Sequence, residues 1–210
     1  MKRIAVIGSG DLGQLIAYHA ENDKQANVVG FFDDFKETGE TIQNLPILGG
    51  IDNVVKLYDK GAFDQIILGI GYKHFDFREE VFNRFYGKIK FATLIHSSCY
   101  VDSSCKIGEG VCLLPGSVLG SNVNIHHNVL INIGCTIAHD SVVQSHSFIS
   151  PRVAIAGFVE VGEKCNIGIN ATLIDNIKIS NNVQIGGGGV VISDINTKGL
   201  YVGNPVRFIR

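Results

Sequence analysis

Two short runs in this sequence combine residue types that can do chemistry. The first is Gly8-Ser9-Gly10-Asp11-Leu12-Gly13, which follows the apolar run ending at Ile7 and opens a helix-like segment, with Asp33 and Asp34 closing the next apolar run. Glycines at this spacing permit a tight turn and close approach of a diphosphate to a helix N-terminus, and an acid at the end of the second strand can accept from ribose hydroxyls. Asp11 stands in the same loop. Its carboxylate repels a deeply seated pyrophosphate, so the loop meets a diphosphate shallowly or faces sugar and ribose instead. A tight turn that holds no ligand is the alternative, and the acidic pair favours a nucleotide. The second run is His139-Asp140. A carboxylate beside an imidazole fixes its tautomer and raises its basicity, as a general base requires, although a solvated corner pair is the plainer reading of the dipeptide alone. The other histidines, His19, His74, His96, His126, His127 and His146, carry no comparable neighbour. No His or Cys falls at metal-ligand spacing, so no metal is expected.

These candidates lie in two halves with different grammar. Residues 3–95 alternate short apolar runs (RIAVI, VVGFF, QIILGI) with helix-like segments (LGQLIAYHAEN, NVVKLYDKG, FDFREEVFNRF). That is β/α alternation, and runs without polar alternation fit a parallel sheet covered on both faces. The stretch between Asp34 and Gly50 reads as a connection.

From Ile95 the helical period disappears. Every sixth residue from Ile95 to Val191 is Ile, Leu or Val, without a gap, and four positions after most of these stands a small or β-branched residue such as Cys99, Ser117, Cys135, Ser141 or Ala171. This is a hexapeptide repeat: three short strands close a triangular coil of eighteen residues, and stacked coils bury a continuous column. Four of the five cysteines fall in the small inward slot and read as core filler. Outward positions eighteen apart give Cys112, Leu130 and Phe148 on one face and Asn124, Val142, Glu160 and Lys178 on the next. The first set predicts an exposed apolar stripe that wants a partner, hence a homo-oligomer, with a trimer the natural count for three-sided prisms. A filled solenoid also leaves ligands only grooves between chains, which argues against a hydride-transfer enzyme with an enclosed substrate domain.

The chain has 210 residues, 45% of them hydrophobic, with 18 Lys+Arg against 20 Asp+Glu. The small net charge of -2 gives no field for nucleic acid or an anionic membrane, and no apolar stretch is long enough to span a bilayer. The start MKRIAVIGSG lacks the plan of a signal peptide, so a cytoplasmic location is expected. The predicted organisation is an α/β Rossmann-like domain over 1–94, an all-β left-handed parallel β-helix over 95–198, and a tail over 199–210.

Hexad coils after a short Rossmann-like domain, the run Ile137-Ala138-His139-Asp140, the Ser-His-Ser run 145–147 and the closing segment Gly199 to Pro205 resemble the bacterial acetyltransferases of the sialic acid O-acetyltransferase and bacillosamine N-acetyltransferase type. The resemblance covers essentially the whole chain. It implies an N-acetyltransferase that uses acetyl-CoA as co-substrate and acts on the C4 amine of a UDP- or dTDP-linked 4-amino-4,6-dideoxy sugar, at a cleft between subunits of a trimer. On that likeness His139 is the general base, Asp140 orients it, and His146 lies near the acetyl group. The nucleotide sugar would meet Gly8, Ser9, Gly10, Asp11, Gly13, Asp33, Asp34, Gly69 and Gly71. Acetyl-CoA would run past Gly157, Gly168, Gly187 and the segment Gly203-Asn204-Pro205. Leu12 and Tyr72 depart from the residues common at those places in the family and bear on sugar or base specificity. Sugar O-acetylation and a non-catalytic nucleotide-binding scaffold are the alternatives.

Overall fold

The computed structural model describes residues 1–210, whose contacts divide into two units, Met1–Leu94 and Ile95–Arg210. The first is built on five strands and three helices: β1 (Lys2–Ile7), α1 (Asp11–Asn22), β2 (Ala26–Phe32), β3 (Thr41–Ile42), β4 (Leu45–Gly49), α2 (Val54–Asp59), β5 (Gln65–Leu68) and α3 (Phe75–Phe85). The sheet runs β3-β4-β2-β1-β5, parallel except for the β3–β4 pair. Ile4 to Ile7 of β1 and all of β5 are buried, as unbroken apolar runs require in a covered parallel sheet. The connection expected after Asp34 contains a hairpin instead. Gln43 and Asn44 turn it at φ 49° and 66°, and β4 joins the sheet beside β2. Positive φ at both central residues is what a two-residue hairpin turn demands, and Gln-Asn is a weaker signature of it than Asn-Gly.

The second unit is the left-handed parallel β-helix. Nearly every strand is two residues long, and each pairs in parallel with the strands eighteen residues before and after it. Three faces result. The first carries six strands from Tyr100–Val101 to Val190–Val191, and the second carries five from Lys106–Ile107 to Lys178–Ile179. The third carries eight, from Leu94–Ile95 through Cys112–Leu113, Leu130–Ile131 and Phe148–Ile149 to a closing hairpin. That hairpin occupies the segment read as a tail: Gly199–Gly203 pairs in parallel with Val183–Ile185, and Val206–Phe208 folds back antiparallel. The sixth-residue aliphatics from Leu113 to Val191 are buried in one column.

The small inward slot is more than a space filler. Ser117 Oγ donates to Asn132 O (2.9 Å), Ser141 Oγ to Ala156 O (2.8 Å) and Ser147 Oγ to Gly162 O (2.7 Å), while Cys135 and Cys165 Sγ reach Ser150 O and Ser180 O at 3.1 and 3.2 Å. Each bond satisfies a carbonyl fifteen residues on, where a corner leaves it outside the ladder. Cysteine and serine share the slot because both are compact donors.

The expected exposed stripe is corrected. Cys112, Leu130 and Phe148 point outward from the third face as the register demands, yet they are buried in a single chain at 3%, 0% and 7% exposure. A register fixes where a side chain points but not what lies over it. On the second face the register holds through to chemistry, with Lys178 Nζ 3.4 Å from Glu160 Oε2 one coil away.

Burial pushes the Cys135 and Cys165 thiols up to about 11, their backbone hydrogen bonds opposing only part of the effect. A thiolate-selective disulfide reagent at pH 8 is therefore expected to leave both unlabelled in the native protein and to label both after unfolding, read by peptide mass spectrometry.

Candidate functional site

The N-terminal unit carries a cleft of about 580 Å³ at the strand ends. Its glycine walls come from Gly8 and Gly10 after β1 and from Gly69 and Gly71 after β5. Gly13, at the start of α1, is excluded from the lining for a steric reason: a Cβ there would run into the Gly8 carbonyl, and one on Gly69 would strike the Gly13 Cα. Both positions require glycine so that the helix start can lie against the two loops. Arg78, buried in the α3 stripe with Val81, Phe82 and Phe85, holds the far wall by donating to Leu68 O (3.3 Å) and Ile70 O (2.7 Å).

The acidic pair lines the same cleft, and much of its hydrogen-bonding capacity is used locally. Asp33 Oδ2 accepts from the Ser9 amide (2.9 Å) and hydroxyl (2.6 Å), and Oδ1 accepts from the Phe35 amide (3.0 Å). Partial burial pushes the Asp33 carboxyl up. The bonds from the Ser9 hydroxyl and the Phe35 and Ser9 amides, with Lys36 nearby, outweigh that and hold it below its usual range. Asp34 Oδ1 accepts from the Ile51 amide at 2.7 Å. The Ser9 amide, which would face a phosphate in a phosphate-cradling loop, thus faces a carboxylate, and Asp11 stands exposed in the first turn of α1. The remaining walls are Ile7, Phe32, Ile51 and Ile70, with the exposed rings of Phe35, His74 and Phe77 at the mouth. A mostly apolar slot with two carboxylates at its edge suits a flat heterocycle and a sugar better than a diphosphate. Phe35, His74 and Phe77 carried no motif in the sequence; only the cleft reveals them.

In the second unit His139 and Asp140 stand at a corner between the first and second faces. His139 Nδ1 lies 2.9 Å from Asp140 Oδ2, and the His139 side chain is 53% exposed. Asp140 accepts also from Asn122 Nδ2 (3.0 Å), and the bond from His139, followed by that from Asn122, holds its carboxyl below the usual range. An ionised carboxylate only accepts, so Nδ1–H donates to it and Nε2 keeps its lone pair. The Asp140 backbone is left-handed, φ 58°, like the other residues of this corner slot. Beneath the imidazole lies Gly157: a Cβ there would stand 2.7 Å from Cε1 and 2.8 Å from Nε2. Phe158 meets the ring edge to face, with centroids 5.2 Å apart.

The other expected contacts are not gathered at this corner. His146 is buried at the corner between the second and third faces, where its Nδ1 lies 3.0 Å from Asn128 Nδ2. Gly168 and Gly187 stand together at the corner between the third and first faces, and Gly203-Asn204-Pro205 turns the closing hairpin.

Three comparisons bear on this geometry. Residues 3–85 match the family model of the PglD N-terminal domain. The matched residues include all of those that line the cleft. Over its whole length the chain has the fold of two solved bacterial acetyltransferases. The acetyltransferase domain of PglB from Neisseria gonorrhoeae superposes with a TM-score of 0.91 at 24% identity, covering 100% of both chains. PerB from Caulobacter crescentus, solved with CoA and GDP-perosamine, gives 0.90 at 24% identity, covering 100% of this chain and 98% of that one. Among curated proteins, UDP-3-O-acylglucosamine N-acyltransferase from Bordetella pertussis is 31% identical over 90 residues, 43% of this chain. Those residues span 23% of that relative's length.

Asp33 gives a pH signature for the loop. Because its folded pKa is lowered, it contributes stability in full above the unfolded value near 3.9, and the contribution is lost as pH falls through the folded value. Asp33→Asn is expected to lower the melting temperature of the N-terminal unit by about 4–8 °C at pH 7. Calorimetry from pH 7 to pH 3 should find the gap steady down to pH 5 and closing below pH 4.

Proposed function

We propose that the protein is an acetyl-CoA-dependent N-acetyltransferase acting on the C4 amine of a nucleotide-linked 4-amino-4,6-dideoxy sugar. The observation that carries the reading is the exposed His139–Asp140 pair, an imidazole with Nδ1 tied to a carboxylate and Nε2 left to accept a proton. The whole-length fold similarity to acetyltransferases solved with CoA and a nucleotide-linked amino sugar supports it.

The neutral amine attacks the thioester carbonyl of acetyl-CoA, a C–N bond forms, and the C–S bond breaks. His139 takes the proton the amine loses, Asp140 steadies the imidazolium, and the proton passes on to the departing CoA thiolate. No acetyl-enzyme is needed, because an unprotonated amine is an adequate nucleophile once both substrates are positioned. The nucleoside end of the acceptor occupies the PglD-type cleft among Gly8, Gly10, Asp33, Asp34, Gly69 and Gly71. The diphosphate lies shallow, away from Asp11. Gly168, Gly187 and the Gly203–Pro205 turn are proposed to line acetyl-CoA, whereas the buried His146 is given no contact to the acetyl group.

A homotrimer belongs to the same proposal, on a different face from the one its stripe first suggested. The first face presents Tyr100, Val118, Thr136, Ala154, Thr172 and Val190, a column without a charge whose strands lead into the His139 corner. An uncharged, largely exposed column is the surface a neighbouring protomer would cover.

The reaction is tested by thiol release from acetyl-CoA with a panel of UDP-, dTDP- and GDP-linked 4-amino sugars. Wild-type protein should turn over at least one, and His139→Ala should lower kcat at least 100-fold with the Kd for CoA unchanged by calorimetry. Near-normal turnover would remove the base, and no turnover with any sugar would leave a nucleotide-binding scaffold. Sedimentation velocity at micromolar concentration should show a trimer that Ala154→Glu converts to monomer; a wild-type monomer would refute the assembly.

A further inference from the structure

Fourteen successive corners of the solenoid, six residues apart from Gly110 to Gly188, hold a residue at positive φ. Thirteen of the fourteen are glycine or polar, with asparagine at Asn122, Asn128, Asn170, Asn176 and Asn182. Phe158, at φ 57°, is the single apolar occupant. His146, Arg152 and Lys164 share with Phe158 the steric cost of a bulky side chain in the left-handed region, which glycine and asparagine tolerate; Phe158 alone places an apolar ring there. Burial does not offset the strain here, since Phe158 is 54% exposed. A strained residue with an exposed ring calls for a reason other than folding.

The ring it touches is that of His139, at a centroid separation of 5.2 Å and an interplanar angle of 87°. Phe158 and Asp140 fill the same corner slot on consecutive coils, and the Phe158 amide donates to the His139 carbonyl at 3.1 Å. The imidazole is thus gripped from two equivalent slots. Asp140 holds Nδ1 by a hydrogen bond, Phe158 flanks the ring, and the Gly157 backbone forms its floor. One hydrogen bond leaves a half-exposed imidazole free to swing about its side-chain torsions. The phenyl ring, fixed by a backbone that cannot relax without breaking the coil, blocks that swing.

We propose that Phe158 is a positioning residue for His139, kept in a strained conformation because it holds the imidazole where proton transfer occurs; this rests on the acetyl-transfer reading above. Misplacing a reacting group by about 1 Å can slow a reaction as much as 100-fold. The test compares Phe158→Asn and Phe158→Tyr with wild type in kcat, KM, melting temperature and the His139 Cε1–H resonance, assigned by its absence in His139→Asn.

Phe158→Asn should lower kcat about tenfold or more, with KM for both substrates within about twofold, while raising the melting temperature because asparagine accepts the left-handed slot. Its His139 resonance should move to the position of a solvent-exposed histidine. Phe158→Tyr keeps the ring and should restore kcat, with the resonance close to wild type. Unchanged kcat in Phe158→Asn, an unmoved resonance, or a rise confined to KM for acetyl-CoA would overturn the proposal, the last by making Phe158 a co-substrate contact. Wild-type protein inert toward every sugar would sink the acetyl-transfer reading instead, and the resonance would then decide the His139 clamp by itself.

Discussion

Every coil of the solenoid is bolted to the next by backbone hydrogen bonds at a fixed offset. Tyr100 N donates to Ser117 O, Val118 N to Cys135 O and Thr136 N to Val153 O, all at 2.8–3.0 Å and all seventeen residues apart. That offset leaves no freedom in coil length. One added or missing residue would turn the inward aliphatics of every later strand outward and strand their amides. Side chains on the strands are therefore committed to the column or to a flat face, and chemistry is confined to the corners. The corners in turn demand left-handed backbone, which is why asparagine and glycine recur there. At the His139 corner the left-handed Asp140, φ 58°, has its carboxylate 2.9 Å from Nδ1 of the neighbouring imidazole.

The N-terminal unit solves the opposite problem. Its strands are fully committed to a buried parallel sheet, so its ligand-facing atoms come from loops, which must be braced to be precise. Bracing is done by the acids themselves. Asp33 ties the Ser9 loop to the end of β2, Asp34 ties the same end to Ile51, and Arg78 pins the loop after β5. A carboxylate that accepts from two donors of one serine is a strut first and a ligand contact second. The cleft is in consequence rigid at its glycine walls and aromatic at its mouth.

What the sequence made legible follows the same division. A period of six that never slips specifies strands, coil, column and corners together, because no other structure buries every sixth residue without interruption. Residues read singly were less secure. The register puts Cys112, Leu130 and Phe148 on the third face but says nothing of what covers them, and they are buried. The β3–β4 hairpin hid behind Gln43-Asn44, and the closing hairpin behind glycines that also suit a loose tail. At Gly13, the third glycine of the fingerprint, close packing against the Gly8 carbonyl requires the missing side chain. Phe158 carries no signal in the sequence, because only its φ and exposure set it apart from other corner residues.

On the proposed reading, binding and reaction fall to parts with different tolerance for change. At the cleft mouth the exposed Phe35, His74 and Phe77 can change side chain without disturbing a strand pairing, whereas Asp33 and Gly69 are fixed by bracing and close packing. The His139 corner cannot drift in that way. His139, Asp140, Gly157 and Phe158 occupy positions set by the eighteen-residue register, and moving any one of them along the chain removes it from the corner altogether. A scaffold this inflexible suits a reaction whose demand is placement of two substrates more than motion of the protein. It also explains why a strained phenylalanine can persist at residue 158: the hydrogen bonds above and below it over-determine the backbone, and the solenoid absorbs the strain without yielding the geometry.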